Sequence, residues 1–440
     1  MRQRGAGRIA ATAAAIGALA LAGCSAAAGG TPGHPRHILS ISMSPSRAPD
    51  PSSIGHPLTG LVPAQLERAY NVGPLWRQGI DGAHQTIVIV DSFGSPTIAH
   101  DLAAFDTAFG LRPPASLRII RPAGPVPPYR PTSGRAGWAS ETTLDVEWAH
   151  AMAPAASILL VETPTAENEG KTGFPQIVAA EKYVLNHHLG QVISQSFGAT
   201  EETFSSPAQL KALRGAYELA DRDRVTVLGA SGDNGASGET YSMKSLYDRR
   251  VVEWPASDPL VTAVGGTQLR LGTSGQRLSP DVAWNESGGG RSAVFARPAY
   301  QDSVRGLAGR ARAIPDISMD ASCASSVAIY ASYPGGGPSH WQTICGTSLA
   351  TPLFAGVVAM ADQAAGHPLG LINPAIYKML AAHDPGLVDI TSGNNSVTGN
   401  RKGKVVTIKG FGARPGYDLI TGAGTVNAAD FVPELARLAG

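Results

Sequence analysis

The sequence predicts an α/β fold of three layers, with a mainly parallel central sheet flanked by helices. Three observations predict it. Several short runs rich in Val, Ile and Leu are apolar at every position, which suits strands buried on both faces. Ala-rich stretches with helical spacing separate those runs. No obvious linker interrupts residues 57–440, and 43% hydrophobic residues supply a sizeable core.

The elements follow in order. Residues 85–90 read as a buried strand that ends at Asp91. Residues 155–161, 190–194 and 225–230 read as three more. Residues 175–188 read as a helix, opening with Pro175 where a first turn tolerates a missing N–H. Ligands of such sheets sit beyond the carboxyl ends of the strands, so Asp91, residues 194–198 and residues 231–233 are expected to line one cleft.

Composition narrows the function classes. Charged residues are 16%, and 35 Lys+Arg against 34 Asp+Glu leave a net charge of +1. That removes any bulk electrostatic reason for a nucleic acid or an anionic membrane surface as partner. Fifty-two Gly and 33 Pro imply many tight turns. There is no Walker-type loop, no paired Cys-x-x-Cys, no His-Glu-x-x-His and no repeat of 20–50 residues.

The N-terminus reads as an address. Arg2, Arg4 and Arg8 precede a short apolar stretch over residues 9–21, the length of a signal core rather than of a spanning helix. It ends in Leu21-Ala22-Gly23-Cys24, similar to a bacterial lipobox, so residues 1–24 are expected to be a lipoprotein signal with Cys24 acylated. Residues 25–56 are rich in Ala, Ser, Pro and Gly and read as a flexible tether. The chain is thus expected outside the cytoplasm, lipid-anchored to a bacterial cell membrane or secreted. That compartment permits disulfides, and Cys323 and Cys345 are expected to pair; the alternative is two buried thiols.

Three segments carry candidate chemistry. Glu141 and Asp145 lie at i and i+4 of a helical stretch, so both carboxyls share a face. Pressed together and partly desolvated, they suit a general base supported by a second acid; a solvated acidic face is the alternative. Ser348 follows Gly346 and precedes an apolar helical run, with Pro352 expected inside the first turn. A serine at a helix N-terminus suits a nucleophile whose substrate develops an oxyanion; an N-capping serine is the alternative. Asp233, after residues 225–230, is a carboxyl that could donate to an oxyanion when protonated, or an Asp/Gly turn.

In chain order, Val90-Asp91, residues 141–154, residues 194–198, Ser231-Gly232-Asp233, residues 264–267, residues 287–290, Pro315-Asp316 and Gly346-Thr347-Ser348 resemble the sedolisin family, the serine-carboxyl peptidases with a subtilisin-like fold. The resemblance implies a peptidase domain over residues 57–440. Ser348 would be the nucleophile, Glu141 the general base, Asp145 its orienting partner and Asp233 part of an oxyanion hole. Ser196, Phe197 and Gly198 would line the substrate cleft.

The implied function is an exported peptidase, an endopeptidase or a releaser of tripeptides. It would hydrolyse peptide bonds through an acyl-enzyme at acidic pH, because a Glu base titrates near ~4.3 and Asp233 must stay neutral. Peptides or proteins would be its substrates, no nucleic acid its partner, the lipid its only membrane contact, and a monomer its state. The resemblance also implies one Ca²⁺ site, with the side chains of Asp389 and Asp418 and the carbonyls of Ile390, Arg414 and Gly416. By residue type alone these segments read as Asx turns.

The family usually carries a large N-terminal prodomain, whereas here only the tether separates Cys24 from the peptidase segment. Two rival functions remain. One is an inactive peptide-binding lipoprotein on the same fold. The other is a Ser-His-Asp subtilisin, although none of the 11 His is followed by Gly and His150 falls opposite Glu141 on a helix.

Overall fold

Ile87 and Ile89 of strand β1 (Thr86–Ser92) enter one apolar core, and Val88 and Val90 enter another. Alternate side chains of a strand point to opposite faces, so an all-apolar run is buried twice over. That is the reason this sequence makes a covered sheet. The computed structural model describes Ile41–Ser42 and residues 60–336, 340–401 and 404–439. The signal segment and Cys24 lie outside the described residues. So does the tether, apart from Ile41–Ser42, which pairs antiparallel with Trp341 and His340.

In chain order the elements that matter are α1 (Ile98–Phe109), β2 (Leu117–Ile120), α2 (Ser133–Met152), β3 (Ser157–Thr163), α3 (Phe174–Asn186), β4 (Val192–Gln195), α4 (Gly215–Arg222), β5 (Thr226–Ala230), β6 (Thr262–Gln268), β7 (Val282–Ala283), β8 (Ile317–Asp320), α5 (Thr347–Ala365) and α6 (Ala428–Ala439). Together the strands form an eight-stranded sheet in the order β7-β6-β5-β4-β1-β3-β2, with β8 also on β6. Only the β6–β7 pair is antiparallel. The expected α/β architecture is borne out, and the expected strands and helix are each found within about two residues of their predicted limits, the usual scatter of element ends.

Helices α1, α2, α5 and α6 cover one face through Phe105, Trp148, Phe354 and Phe431. Helices α3 and α4 cover the other through Ile177, Val184 and Tyr217. Helix α5 is buried from Leu349 to Asp362, as expected of a helix apolar all round. It packs against the end of α2 at Gly356, where a Cβ would lie 2.6 Å from that of Met152. This close approach sets the two helices that carry Glu141 and Ser348 side by side. Among the described residues no helix is long and apolar enough to cross a membrane.

The Pro315-Asp316 segment has a structural role. Asp316 accepts from buried Arg312 at 2.6 Å, from Tyr377 Oη at 2.9 Å and from the Ala263 N–H at 2.8 Å. A buried ion pair with this many partners meets the condition under which burial is tolerated.

Candidate active site

Helix α2 carries three acids into the interior. Glu141, Asp145 and Glu147 are all 0% exposed, which removes the solvated acidic face as an account of this spacing. Glu147 accepts the Tyr330 N–H at 3.0 Å on the far side of the helix. His150 is also on that side, its Nε2 3.1 Å from Asp106 Oδ1, away from Ser348.

Ser348 is the second residue of α5, and the helix is capped by Gly346. The serine is therefore not the N-cap. Its hydroxyl faces Glu141 closely enough to draw that carboxyl's pKa back down, while neither Glu141 oxygen has a partner at full hydrogen-bond geometry. Burial pushes Glu141 well above the usual carboxyl range, and the charges of Asp91 and Asp233 add to it. Burial likewise raises Asp145, with Asp91 and Glu141 adding and the Ser196 hydroxyl opposing. Asp91, at the end of β1, is pushed up to about 7, mainly by burial.

Pro352 is the sixth residue of α5, in its second turn rather than the first. There it removes the N–H that the Ser348 carbonyl would accept four residues on. Ser196 fills the gap: its Oγ lies 3.3 Å from the Ser348 carbonyl and 3.0 Å from Asp145 Oδ1. The residue expected to line the cleft does so, and it also ties Asp145 to the main chain of Ser348.

Asp233 follows β5. Its Oδ1 accepts from the Thr347 N–H at 2.7 Å and from Thr347 Oγ1 at 2.8 Å. Burial raises its pKa and the Thr347 bonds pull against that rise. Oδ2 points toward Gly346, where an added Cβ would sit 2.6 Å away and φ is +124°. Behind this loop, Gly288 N–H donates to the Gly232 carbonyl at 2.7 Å and Ser231 Oγ donates to the Gly288 carbonyl at 2.8 Å.

One cleft is lined by Ser348, Thr347, Asp233, Ser196, Phe197 and Gly198, as expected from the strand-end rule, whereas Asp91, expected with them, is buried and does not line it. Cys323 and Cys345 form a disulfide with Cα atoms 4.9 Å apart, closing a loop that ends just before Gly346. Near the C-terminus, Asp418 accepts from the N–H groups of Ile420 (2.8 Å) and Thr421 (2.9 Å), and Asp389 accepts the Gly416 N–H at 2.9 Å. Both carboxyls thus accept main-chain N–H groups of the 414–421 segment, as turn-forming residues do. Ser287 Oγ donates to the Ile420 carbonyl at 2.9 Å, joining this turn to the strip behind Gly232.

The sequence profile described as the Subtilase family matches residues 133–426. The chain belongs to the subtilase family. This subtilase is 30% identical over 381 residues to kumamolisin from Bacillus sp. (strain MN-32), covering 83% of this chain and 62% of kumamolisin. It is 30% identical over 343 residues to tripeptidyl-peptidase 1 of Canis lupus familiaris, covering 75% of this chain and 56% of that protein. The chain therefore spans less than two thirds of the length of these curated relatives. Among solved structures, Pseudomonas sedolisin, a serine-carboxyl proteinase complexed with two molecules of pseudo-iodotyrostatin, superposes with a TM-score of 0.68 at 26% identity, covering 87% of this chain and 99% of that one. Within the subtilases the chain is thus a member of the sedolisin group with a subtilisin-like fold, as its motifs suggested.

Sequence reasoning passed over four acids that also line the cleft: Glu167, Glu169, Glu239 and Glu253. Glu167 and Glu169 follow β3 closely, where the same strand-end rule applies, whereas Glu239 and Glu253 lie well beyond the end of β5 and are brought back by the fold. It also passed over Thr347, which holds Asp233 through two bonds.

Proposed function

We propose that this chain is an exported serine-carboxyl peptidase that cleaves peptide bonds through an acyl-enzyme on the acid side of neutrality. The observation that carries the reading is the buried Glu141 carboxyl facing the Ser348 hydroxyl, with Asp145 behind it and Asp233 across the same cleft. Family membership supports it.

Ser348 Oγ bonds to the substrate carbonyl carbon as its proton passes to Glu141. The carbonyl π pair moves to oxygen, and protonated Asp233 donates a hydrogen bond to that oxyanion. Collapse breaks the C–N bond, and Glu141 returns the proton to the leaving amine. Water then gives a proton to Glu141, adds to the acyl carbon and releases the acid, and Ser348 recovers its proton. Asp145 shares the proton of Glu141 and is itself held by Ser196.

The reactive state has Glu141 without a proton and Asp233 with one. Burial raises both pKa values, so the activity profile is a bell displaced above the ~4.3 of an exposed glutamate. Its falling limb is the loss of the Asp233 proton.

Peptide hydrolysis from acidic through neutral pH by wild type, Ser348→Ala and Glu141→Gln tests the reading. Both variants should lose at least about a thousandfold in kcat. Equal turnover by all three removes the enzyme and leaves a peptide-binding protein. Acylation at Cys24 and a Ca²⁺ ion held by Asp389, Asp418 and the carbonyls of Ile390, Arg414 and Gly416 belong to the same proposal. The ion would brace the 414–418 turn.

A further inference from the structure

The cleft beside Ser348 gathers carboxyls of its own. Glu167, Glu169, Glu239 and Glu253 all line it. The neighbouring charges that act on Glu253 are those of Glu169, Asp233 and Glu239, all acids, eased only by the Asn234 amide. Those that act on Glu167 are Glu141, Glu169 and Asp91, acids again. Glu167 is 5% exposed, and its Oε2 reaches no partner. Like charges assembled in a part-buried pocket repel one another, and a cation from outside relieves all of them together.

The position of Glu253 says where that cation enters. A Cβ on Gly198 would lie 2.9 Å from Glu253 Oε2, and a Cβ on Gly232 would lie 2.9 Å from the same atom. The carboxyl therefore sits between the Ser196-Phe197-Gly198 strip and the loop that carries Asp233. A peptide whose carbonyl reaches Ser348 and Asp233 must send the side chain of that residue between these two segments. Phe197 and Met243 supply apolar wall for the stem of a long side chain.

We propose that this pocket selects lysine or arginine at the residue whose carbonyl Ser348 attacks, with Glu239 and Glu253 as specificity-determining residues. The proposal rests on the peptidase reading above and names its substrate class. Glu239 is the better probe, because Glu253 also feels the charge of Asp233.

The test compares two N-acetylated quenched peptides, identical except for arginine or methionine before the scissile bond, with the full chain from about pH 6 to about pH 8, because burial pushes Glu239 up to about 7. Acetylation removes the amino-terminal ammonium as a rival cation. In wild type the arginine peptide should have a kcat/KM at least about tenfold higher, and Glu239→Gln should cut that ratio severalfold. Glu239→Lys should invert it, which keeps the idea testable if the glutamine variant folds poorly. A wild-type ratio at or below one overturns the proposal, as does a ratio that neither variant moves. So does a preference that appears only when the amino terminus is left free. Binding of both peptides to Ser348→Ala, read by calorimetry, separates the two claims. Tighter binding of the arginine peptide without turnover by wild type keeps the pocket and sinks the peptidase; equal binding sinks the pocket alone.

Discussion

Ser196 and Asp145 are joined by a 3.0 Å hydrogen bond, and the same hydroxyl reaches the Ser348 carbonyl that Pro352 leaves without a helical partner. The irregularity in α5 is thus used to couple the second carboxyl to the backbone of the nucleophile. Removing Ser196 should act on both. Because its hydroxyl lowers the pKa of Asp145, Ser196→Ala raises that pKa further. The rising limb of the pH–rate profile should move to higher pH, and kcat should fall by about ten- to a hundredfold, the worth of one bond to a charged group. A profile that keeps its shape while only KM changes would show that Ser196 serves substrate binding alone.

Gly346→Ala should damage the site more than its size suggests. The left-handed φ and the 2.6 Å approach to Asp233 Oδ2 both oppose a side chain. Strain of about 1–3 kcal/mol is expected for the backbone alone, and Asp233 must shift. Thermal unfolding should report the first effect and kcat the second. A variant with native Tm and native kcat would mean the Asp233 loop is not fixed by this contact.

Stability should fall as pH rises, opposite to the usual acid sensitivity of proteins. Burial pushes Asp91 up to about 7, and Glu181 and Asp362 up to about 8. In the unfolded chain such groups titrate near ~4. Between these values the folded state holds protons that the unfolded state has released, so unfolding becomes easier with each pH step. Below ~4 both states are protonated and the effect vanishes; above ~8 it is complete. One unit of rise corresponds to about 1.4 kcal/mol, so Tm should drop clearly between pH 4 and pH 8. Asp362→Asn should flatten the slope. A Tm that climbs over this range would contradict the burial of these carboxyls.

Calcium should stabilise the chain through the 414–418 turn. At a free ion concentration about a hundredfold above Kd, one site adds about 2.7 kcal/mol. Chelation should lower Tm, and Asp418→Asn should abolish the response. Because Ser287 and Gly288 connect that turn to Gly232, chelation should also lower kcat. Identical Tm with calcium and with chelator would leave Asp389 and Asp418 as turn-forming residues.

Much of this was legible in the chain. The all-apolar strand runs dictated a doubly covered sheet, and the strand-end rule placed Ser196 and Asp233 around one cleft, with Asp91 buried beneath it rather than lining it. The spacing of Glu141 and Asp145 placed them on one helical face, but only the structure distinguished a buried pair from a solvated one. The four cleft glutamates escaped notice because convergence depends on how loops after two different strands fold back. The role of Pro352 escaped for a related reason. A proline near a helix start is common, and its meaning here depends on Ser196 arriving from another part of the sequence to take the orphaned carbonyl.

The covalent link between Cys323 and Cys345 ends at the residue before Gly346, so the geometry of the hydroxyl two positions further along is anchored by a bond that reducing surroundings would dissolve. A newly made copy among cellular thiols would lack that anchor. The loop ahead of Ser348 would then rest on its non-covalent contacts alone.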